Sequence, residues 1–413
     1  MITREMNAPV LRFPEFRGNW RKKTMRELLE ELVDCEHKTA PYIDKSEYLV
    51  VRTNNVKNGQ LDTSEIKFTT KAGFKEWTKR GVPKYGEILF TREAPAGESC
   101  LVPKNVKICL GQRMVLLKPK TELTSGEYIS VYLQSDTAKR RISNLSIGTT
   151  VTRINITDIY KIECPITSLP EQQKIASFLT TIDTKIQQLK KKKALLETYK
   201  KGVMQQIFKQ QIRFRDEEGK AFPDWEIVKL QEVAERITRK NKENNTNVLT
   251  ISAQDGLINQ QEFFNKSVSA RNVSGYYLLH KDEFAYNKSY SKGYPMGAIK
   301  RLSRYEKGVL STLYICFKIR QKNSEGYFEQ YFESGSFNKE LHKIAQEGAR
   351  NHGLLNVSVV EFFNSTNLPR PSLKEQNKIK DFLSSLDAKI NEVSKQFRKL
   401  QSFKRGLLQK MFM

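Results

Sequence analysis

Apolar residues between positions 169 and 208 recur at alternating steps of three and four. Ile175, Leu179, Ile182, Ile186, Leu189, Leu196, Val203 and Ile207 fall on one line, and Lys193 and Lys200 occupy the two remaining slots. The same line reappears between 373 and 412 as Ile379, Leu383, Leu386, Ile390, Val393, Phe397, Leu400, Lys404, Leu407 and Met411. That spacing predicts a helix with one narrow apolar stripe, the pattern of a coiled coil. At about 1.5 Å per residue, each helix would be roughly 55 Å long. So narrow a stripe needs a partner, and the simplest expectation is that the two helices bury their stripes against each other.

The two stretches are also copies. LPEQQKIASFLTTIDTKI lies over LKEQNKIKDFLSSLDAKI, and TYKKGVMQQIF over SFKRGLLQKMF, with a constant offset of 204. An unbroken register at that distance indicates internal duplication. The segment between the helices must leave one and return to the start of the other, and a compact domain has a radius of gyration of only about 15 Å. Antiparallel helices let it do so at one end. The expected fold is therefore α+β: two mixed α/β domains joined by two long helices packed as an antiparallel coiled coil, with a pseudo-twofold axis. The expected boundaries are 1–168, 169–212 for the first long helix, 213–370, and 371–413 for the second.

The globular halves carry the duplication further. LRFPEFRGNWRKKTMRELLEEL resembles AFPDWEIVKLQEVAERI, placing Trp20 over Trp225, Met25 over Leu230 and Leu28 over Val233. Short apolar runs then alternate with turn residues. In the first half these predict an Asn58-Gly59 turn, one strand in 86–93, another in 108–119, and a helix over 127–140. In the second, runs at 247–258, 282–294 and 308–319 precede a helix around 328–346.

Composition narrows the function. The 413 residues include 71 Lys and Arg against 46 Asp and Glu, a formal net charge of +25, which suits a polyanionic partner such as nucleic acid. Cys35, Cys100, Cys109, Cys164 and Cys316 are odd in number and contain no CxxC pair, so a reducing compartment is expected and a disulfide framework is not. The Cys35-x-His37 pair lacks a second pair to complete a zinc site. With no membrane-length apolar run and no signal-peptide core, a cytoplasmic location without a membrane partner is expected.

Sequence signs of catalysis are absent. There is no phosphate-binding loop, no dinucleotide fingerprint, and no Asn-Pro-Pro-aromatic string of an adenine methyltransferase; Asn367-Leu368-Pro369 is not one. His37, His280, His342 and His352 share no metal-ligand spacing. Asp44 with Glu65 and Lys67 echoes a metal-dependent nuclease only faintly. Recognition is the better reading, and neither a metal nor a cofactor is expected on this chain.

Basic and aromatic residues supply the candidates for it. Lys71, Arg80, Lys84 and Arg92 lie in a stretch that also holds Phe74, Trp77 and Tyr85; Lys288, Tyr290, Lys292 and Arg301 do the same in the second half. Each half ends with a polar, glycine-led turn: Gly148-Thr149-Thr150 followed by Arg153, and Gly348-Ala349 followed by Arg350, Asn351 and His352. These are the expected DNA contacts, since cations hold phosphates while Arg, Asn and similar groups read base edges.

Two dissimilar halves, each closed by a helix that opens with L-x-E-Q-x-K-I, resemble the specificity subunit of type I restriction-modification systems. Leu169 to Ile175 and Leu373 to Ile379 carry the resemblance, the FPEF and FPDW strings and the Gly148 turn add to it, and it covers the whole chain. The second half departs from the pattern with Gly348-Ala349-Arg350 in place of Gly-Thr-Thr. The resemblance implies a non-catalytic DNA reader with two target recognition domains, each reading half of a split, asymmetric site on double-stranded DNA. It also implies two modification subunits that methylate adenine N6 and two motor-nuclease restriction subunits. S-adenosylmethionine, ATP and magnesium would sit on those partners only. The rival readings are a structural coiled-coil DNA-binding protein without such partners, and a metal nuclease built on Asp44, Glu65 and Lys67.

Overall fold

The computed structural model describes residues 5–6, 9–253, 255–264, 272–350 and 354–412. The chain divides into two compact units, Met1–Lys191 with Ser394–Met413, and Lys192–Val393. Both boundaries fall inside the long helices, which span Leu169–Phe208 and Leu373–Met411.

The first unit is built on a four-stranded antiparallel sheet in the spatial order Leu29–Asp34, Met114–Pro119, Ile88–Thr91, Ser99–Leu101. A second small sheet pairs Tyr48–Val51 in parallel with Lys107–Leu110 and antiparallel with Lys67–Thr69. The second unit repeats the order of the larger sheet with Ala234–Arg236, Ile315–Ile319, Phe284–Asn287 and Ala298–Arg301. In both, the last strand in sequence lies between the first and a central hairpin.

Several expected elements are split. The run 108–119 forms two strands in different sheets, because Gly111 and Arg113 turn the chain between them. A Cβ at position 111 would lie 2.8 Å from the Val51 carbonyl oxygen, and Arg113 adopts a φ of 68°. The run 308–319 likewise contributes to Lys307–Leu310 and Ile315–Ile319. The helix expected over 127–140 is two, Gly126–Leu133 and Asp136–Leu145, since Ser135 caps the second by accepting a hydrogen bond from the Ala138 amide at 3.1 Å. The one expected near 328–346 is Glu325–Glu333 followed by Asn338–Ile344, separated by Gly335 at φ +75°. Apolar periodicity continues across all four breaks, so it does not reveal them.

The L-x-E-Q motif fastens each helix to its domain. Glu171, Gln172, Glu375 and Gln376 are buried. The Arg12 guanidinium donates to both Glu171 oxygens at 2.7 and 2.8 Å, which holds the arginine above its ordinary pKa. In the second unit Arg213 donates to Glu375 at 3.0 and 3.3 Å, and the Trp225 indole adds a third bond at 2.9 Å. Gln172 Nε2 donates to the carbonyls of Thr167 and Leu123; Gln376 donates to Pro371 and accepts from the Ser324 amide, which opens Glu325–Glu333.

The apolar stripes enter the domain cores. In the first unit Ile175, Leu179, Ile182 and Ile186 share one cluster with Trp20, Tyr128, Tyr132, Leu407, Met411 and Phe412, with Phe397 and Leu400 at its margin. In the second, Ile379, Leu383 and Leu386 join Met204, Ile207, Trp225, Tyr327 and Tyr331. Leu189 and Val393 are buried, and Leu196 and Ile390 half-buried. Polar slots in the stripes form ion pairs: Lys404 with Asp183 in the first unit and Lys200 with Asp387 in the second, each at 2.6 Å.

Candidate nucleic-acid interface

In the first unit two exposed loops meet beside the end of the strand Ile88–Thr91. One is 92–98, which joins that strand to Ser99–Leu101. The other, 146–155, joins Asp136–Leu145 to the short helix Ile156–Ile159. They are tied by backbone: the Ile154 amide donates to Arg92 O at 2.9 Å, and the Ala94 amide to Thr152 O at 3.4 Å. Within the second loop, Ile147 and Arg153 exchange amide hydrogen bonds at 2.8 and 2.9 Å, closing a tight hairpin. Gly148 has φ +95°, and a Cβ there would meet Val151 O at 2.4 Å, so the turn requires glycine. Thr149, Thr150 and Arg153 project from this turn, exposed and with no side-chain hydrogen bond or ion pair among the described residues. They are groups of the kind that donate to phosphate oxygens and base edges.

The other predicted cations of this unit divide into two kinds. Arg92 is engaged internally, with Nη1 donating to Asp34 at 3.2 and 3.3 Å. Arg80 pairs with Glu36 at 3.1 Å and donates to Cys35 O at 3.1 Å. Both arginines therefore anchor the segment 34–37, which the loop pair adjoins through Arg92. Lys71, at the start of the helix Lys71–Trp77, and Lys84, in the following turn, are exposed and have no ion pair among the described residues.

Asp34, Cys35 and His37 bring ligand-type atoms within 4.8 Å of one another. Asp34 already accepts from Arg92 and from the Cys35 amide, and lies 2.9 Å from His37 Nε2. Burial, then the charge of Asp34, raises the Cys35 thiol and keeps its proton on. The trio is accounted for as a hydrogen-bonded corner. Asp44, Glu65 and Lys67 make no hydrogen bond or ion pair with each other among the described residues.

The expected Asn58-Gly59 turn forms, and it lies beside the first loop. The hairpin Val56–Lys57 with Gln60–Leu61 turns through Asn58 and Gly59, at φ 52° and 80°, and the Asn58 amide donates to Glu98 at 2.8 Å in the first loop. Thr53, Asn54 and Lys57 thereby stand beside Ala94 and Pro95 around a hollow of about 230 Å³. The Asn58-Gly59 pair announced a turn; nothing local announced its neighbour forty residues on.

The second unit places its candidates at the same point of the fold. The loop 288–297 follows Phe284–Asn287, and its Lys288 carbonyl accepts from the Leu355 amide at 2.8 Å, joining it to the strand Leu354–Val357. Tyr290 is 64% exposed, and Lys292 is exposed; neither has a side-chain partner among the described residues. Lys288 is half-buried. Tyr294 holds the loop down: its hydroxyl donates to Glu333 at 2.7 Å and accepts from the buried Lys300 at 2.9 Å. Burial, then Glu333, raises the Tyr294 phenol. Arg301 lies at the opposite end of its strand from this loop, paired with Glu329 at 2.8 Å and Asp282 at 3.3 Å. Burial raises the Glu329 carboxyl, and Arg301 opposes that rise. Arg350 closes the strand Ala345–Arg350, whereas Asn351 and His352 lie outside the described residues. Among the described residues, no helix is long and apolar enough to cross a membrane.

Residues 19–198 match the family model described as the type I restriction modification DNA specificity domain. The chain is 26% identical over 247 residues to a protein of Methanocaldococcus jannaschii described as the MjaX type I restriction enzyme specificity subunit, covering 55% of each chain. It is 28% identical over 181 residues to the MjaIX specificity subunit of the same organism, covering 42% of this chain and 41% of that one. The alignments thus span about half the length of these relatives. In fold, the chain is similar to the crystal structure of the type I restriction-modification system S subunit from M. genitalium, with a TM-score of 0.60, 17% identity, and coverage of 98% of this chain and 99% of that one. The segment match and the curated relatives agree with the two L-x-E-Q helices: residues 19–198 match a type I restriction modification DNA specificity domain, and the chain is similar to type I restriction enzyme specificity subunits.

Proposed function

We propose that this chain is the non-catalytic reader of a type I restriction-modification complex, acting in the cytoplasm. Each unit reads one half of a bipartite, asymmetric site on double-stranded DNA. Two modification subunits then methylate adenine N6, and two restriction subunits cleave, with S-adenosylmethionine, ATP and magnesium held by those partners. The observation that carries this reading is the recurrence of one arrangement on two different sequences. In both units a loop after the same sheet strand is bonded to the segment leading into a short helix, and exposed polar side chains project there: Thr149, Thr150 and Arg153 in one unit, Tyr290 and Lys292 in the other. The same pair of bonded segments carrying unlike residues is what two readers of different bases need.

The proposed gap-setting element is an antiparallel coiled coil made by the two long helices. Side-by-side placement within each unit supports it: Asp183 pairs with Lys404 in the first unit, and Lys200 with Asp387 in the second. A purely structural DNA-binding protein would have no use for two unlike loop sets, so that alternative is disfavoured.

Exchanging residues 213–370 for those of a different reader, in the assembled complex, is expected to change one half of the methylated sequence and leave the other intact. A methylome in which both halves change would refute modular reading. Within the first unit, Arg153→Ala is expected to weaken DNA binding about tenfold and to lower the slope of log affinity against log salt by about 1. Titrations at several salt concentrations measure both; an unchanged slope would remove Arg153 from the interface.

A further inference from the structure

Beside the two loops of the first unit, the hairpin Val56–Lys57 with Gln60–Leu61 and the short turn before it are held in one place by hydrogen bonds. The turn Thr53–Asn55 is pinned by the buried Asn55, whose Oδ1 accepts from the Arg52 amide at 3.0 Å and whose Nδ2 donates to Asp62 O at 3.1 Å. The hairpin tip is pinned by the Asn58 amide, which donates to Glu98 at 2.8 Å. Two asparagine side chains are left over. Asn54 and Asn58 are exposed, neither side chain has a hydrogen-bond partner among the described residues, and both line the hollow of about 230 Å³ that Ala94 and Pro95 border from the first loop. Asn58 is explained by its backbone, since at φ 52° asparagine is one of the residues a left-handed turn accepts. Asn54 has no such local reason.

Ala94 is also out of place as a structural residue. Its φ is 52°, in the left-handed region where glycine is unstrained and a Cβ is penalised, and it is exposed, so its methyl fills no core position. With Val56 and Pro95 it gives the hollow an apolar lining beside the free amide. An amide next to an apolar seat matches one base pair in particular. In the major groove adenine offers N7 and the N6 amino group, which an asparagine amide bonds bidentately, while its thymine offers the C5 methyl to apolar side chains. Guanine and cytosine have no methyl to seat. Among the described residues no aromatic ring lines the hollow, so it lacks the stacking face that an unpaired base would need. The Ala94 amide, donating to Thr152 O at 3.4 Å, joins the hollow to the turn that carries Thr149, Thr150 and Arg153.

We infer that this hollow reads one A·T base pair in the half-site of the first unit: the thymine methyl seats against Ala94, Val56 and Pro95, and the Asn54 side chain bonds the adenine edge. Arg153 and the two threonines hold the neighbouring stretch of the same duplex. The inference rests on the proposed function in taking the first unit as the reader of one half-site.

The test uses the full chain in the assembled complex, with the target first read by methylome sequencing. The half belonging to the first unit is the one that survives exchange of residues 213–370. Each thymine in that half is then replaced in turn by uracil, which lacks only the methyl. Uracil at one position is expected to weaken binding about fourfold, the worth of one buried methyl group. In Ala94→Gly the same replacement is expected to matter less than twofold, while the melting temperature holds or rises because glycine relieves the strain at φ 52°. Asn54→Ala is expected to let the methylated motif admit other base pairs at that position. A half-site with no uracil-sensitive position, a sensitivity undiminished in Ala94→Gly, or a motif unchanged by Asn54→Ala would each overturn this inference and leave the proposed function standing. A complex that methylates no bipartite sequence would overturn the proposed function, and this inference with it.

Discussion

Phe412→Ala is expected to lower the stability of the first unit by about 3–5 kcal/mol, the range for truncating a fully buried phenylalanine. The ring is 1% exposed and lies edge-on or tilted against three others: Tyr132 at 5.5 Å, Tyr128 at 5.7 Å and Trp20 at 6.4 Å between centroids. The two tyrosines are held against closing the gap. Tyr128 is fixed by its hydroxyl donating to Pro165 O at 2.7 Å and Tyr132 by the same bond to Glu163 O at 2.6 Å. Urea unfolding followed by the fluorescence of Trp20 would register the change. A loss below about 1 kcal/mol would mean that this end of the second long helix does not stay seated.

Glu375→Leu is expected to cost the second unit about 3 kcal/mol, because it removes the acceptor from a half-buried arginine and a buried indole together. Among the described residues, Arg213 would keep only Asp224, at 3.2 Å, and the carbonyls of Phe222 and Pro223 as hydrogen-bond partners. The Trp225 N–H would have no acceptor. Pairing the change with Arg213→Met should recover part of the loss, since the damage comes from the cation left behind rather than from the missing pair. Thermal unfolding of the single and double variants decides it; a double variant no better than the single would place the damage elsewhere. The effect on DNA sequence choice is expected to be small, as this glutamate lies in the foundation of the domain and away from its loops.

The two long helices and the repeated motif were legible because their determinants are local: a seven-residue rhythm and a string repeated in register. The lead-in also transferred well, with Trp20, Met25 and Leu28 buried at the same places as Trp225, Leu230 and Val233. The surface was harder. Arg92 and Arg301 look like DNA contacts in sequence, yet their acids, Asp34 and Glu329, lie far along the chain. Whether a cation is spent internally is decided by such distant partners, and local spacing carries no information about them. The glycine-led turn was legible because Gly148 serves a backbone need that is itself local. The hairpin through Asn58 was legible as a turn but not as part of a site, since only folding brings Glu98 to it.

The makeup of the first unit has a consequence for synthesis on the ribosome. Residues 1–191 emerge early, but the core they begin is finished only by 394–412, after every residue of the second unit has been made. Until then the aromatic socket around Trp20, Tyr128 and Tyr132 has no Phe412 to fill it. The domain begun first is therefore completed last, and a message cut short after the first long helix releases a chain with that socket open, a natural mark for chaperones and proteases.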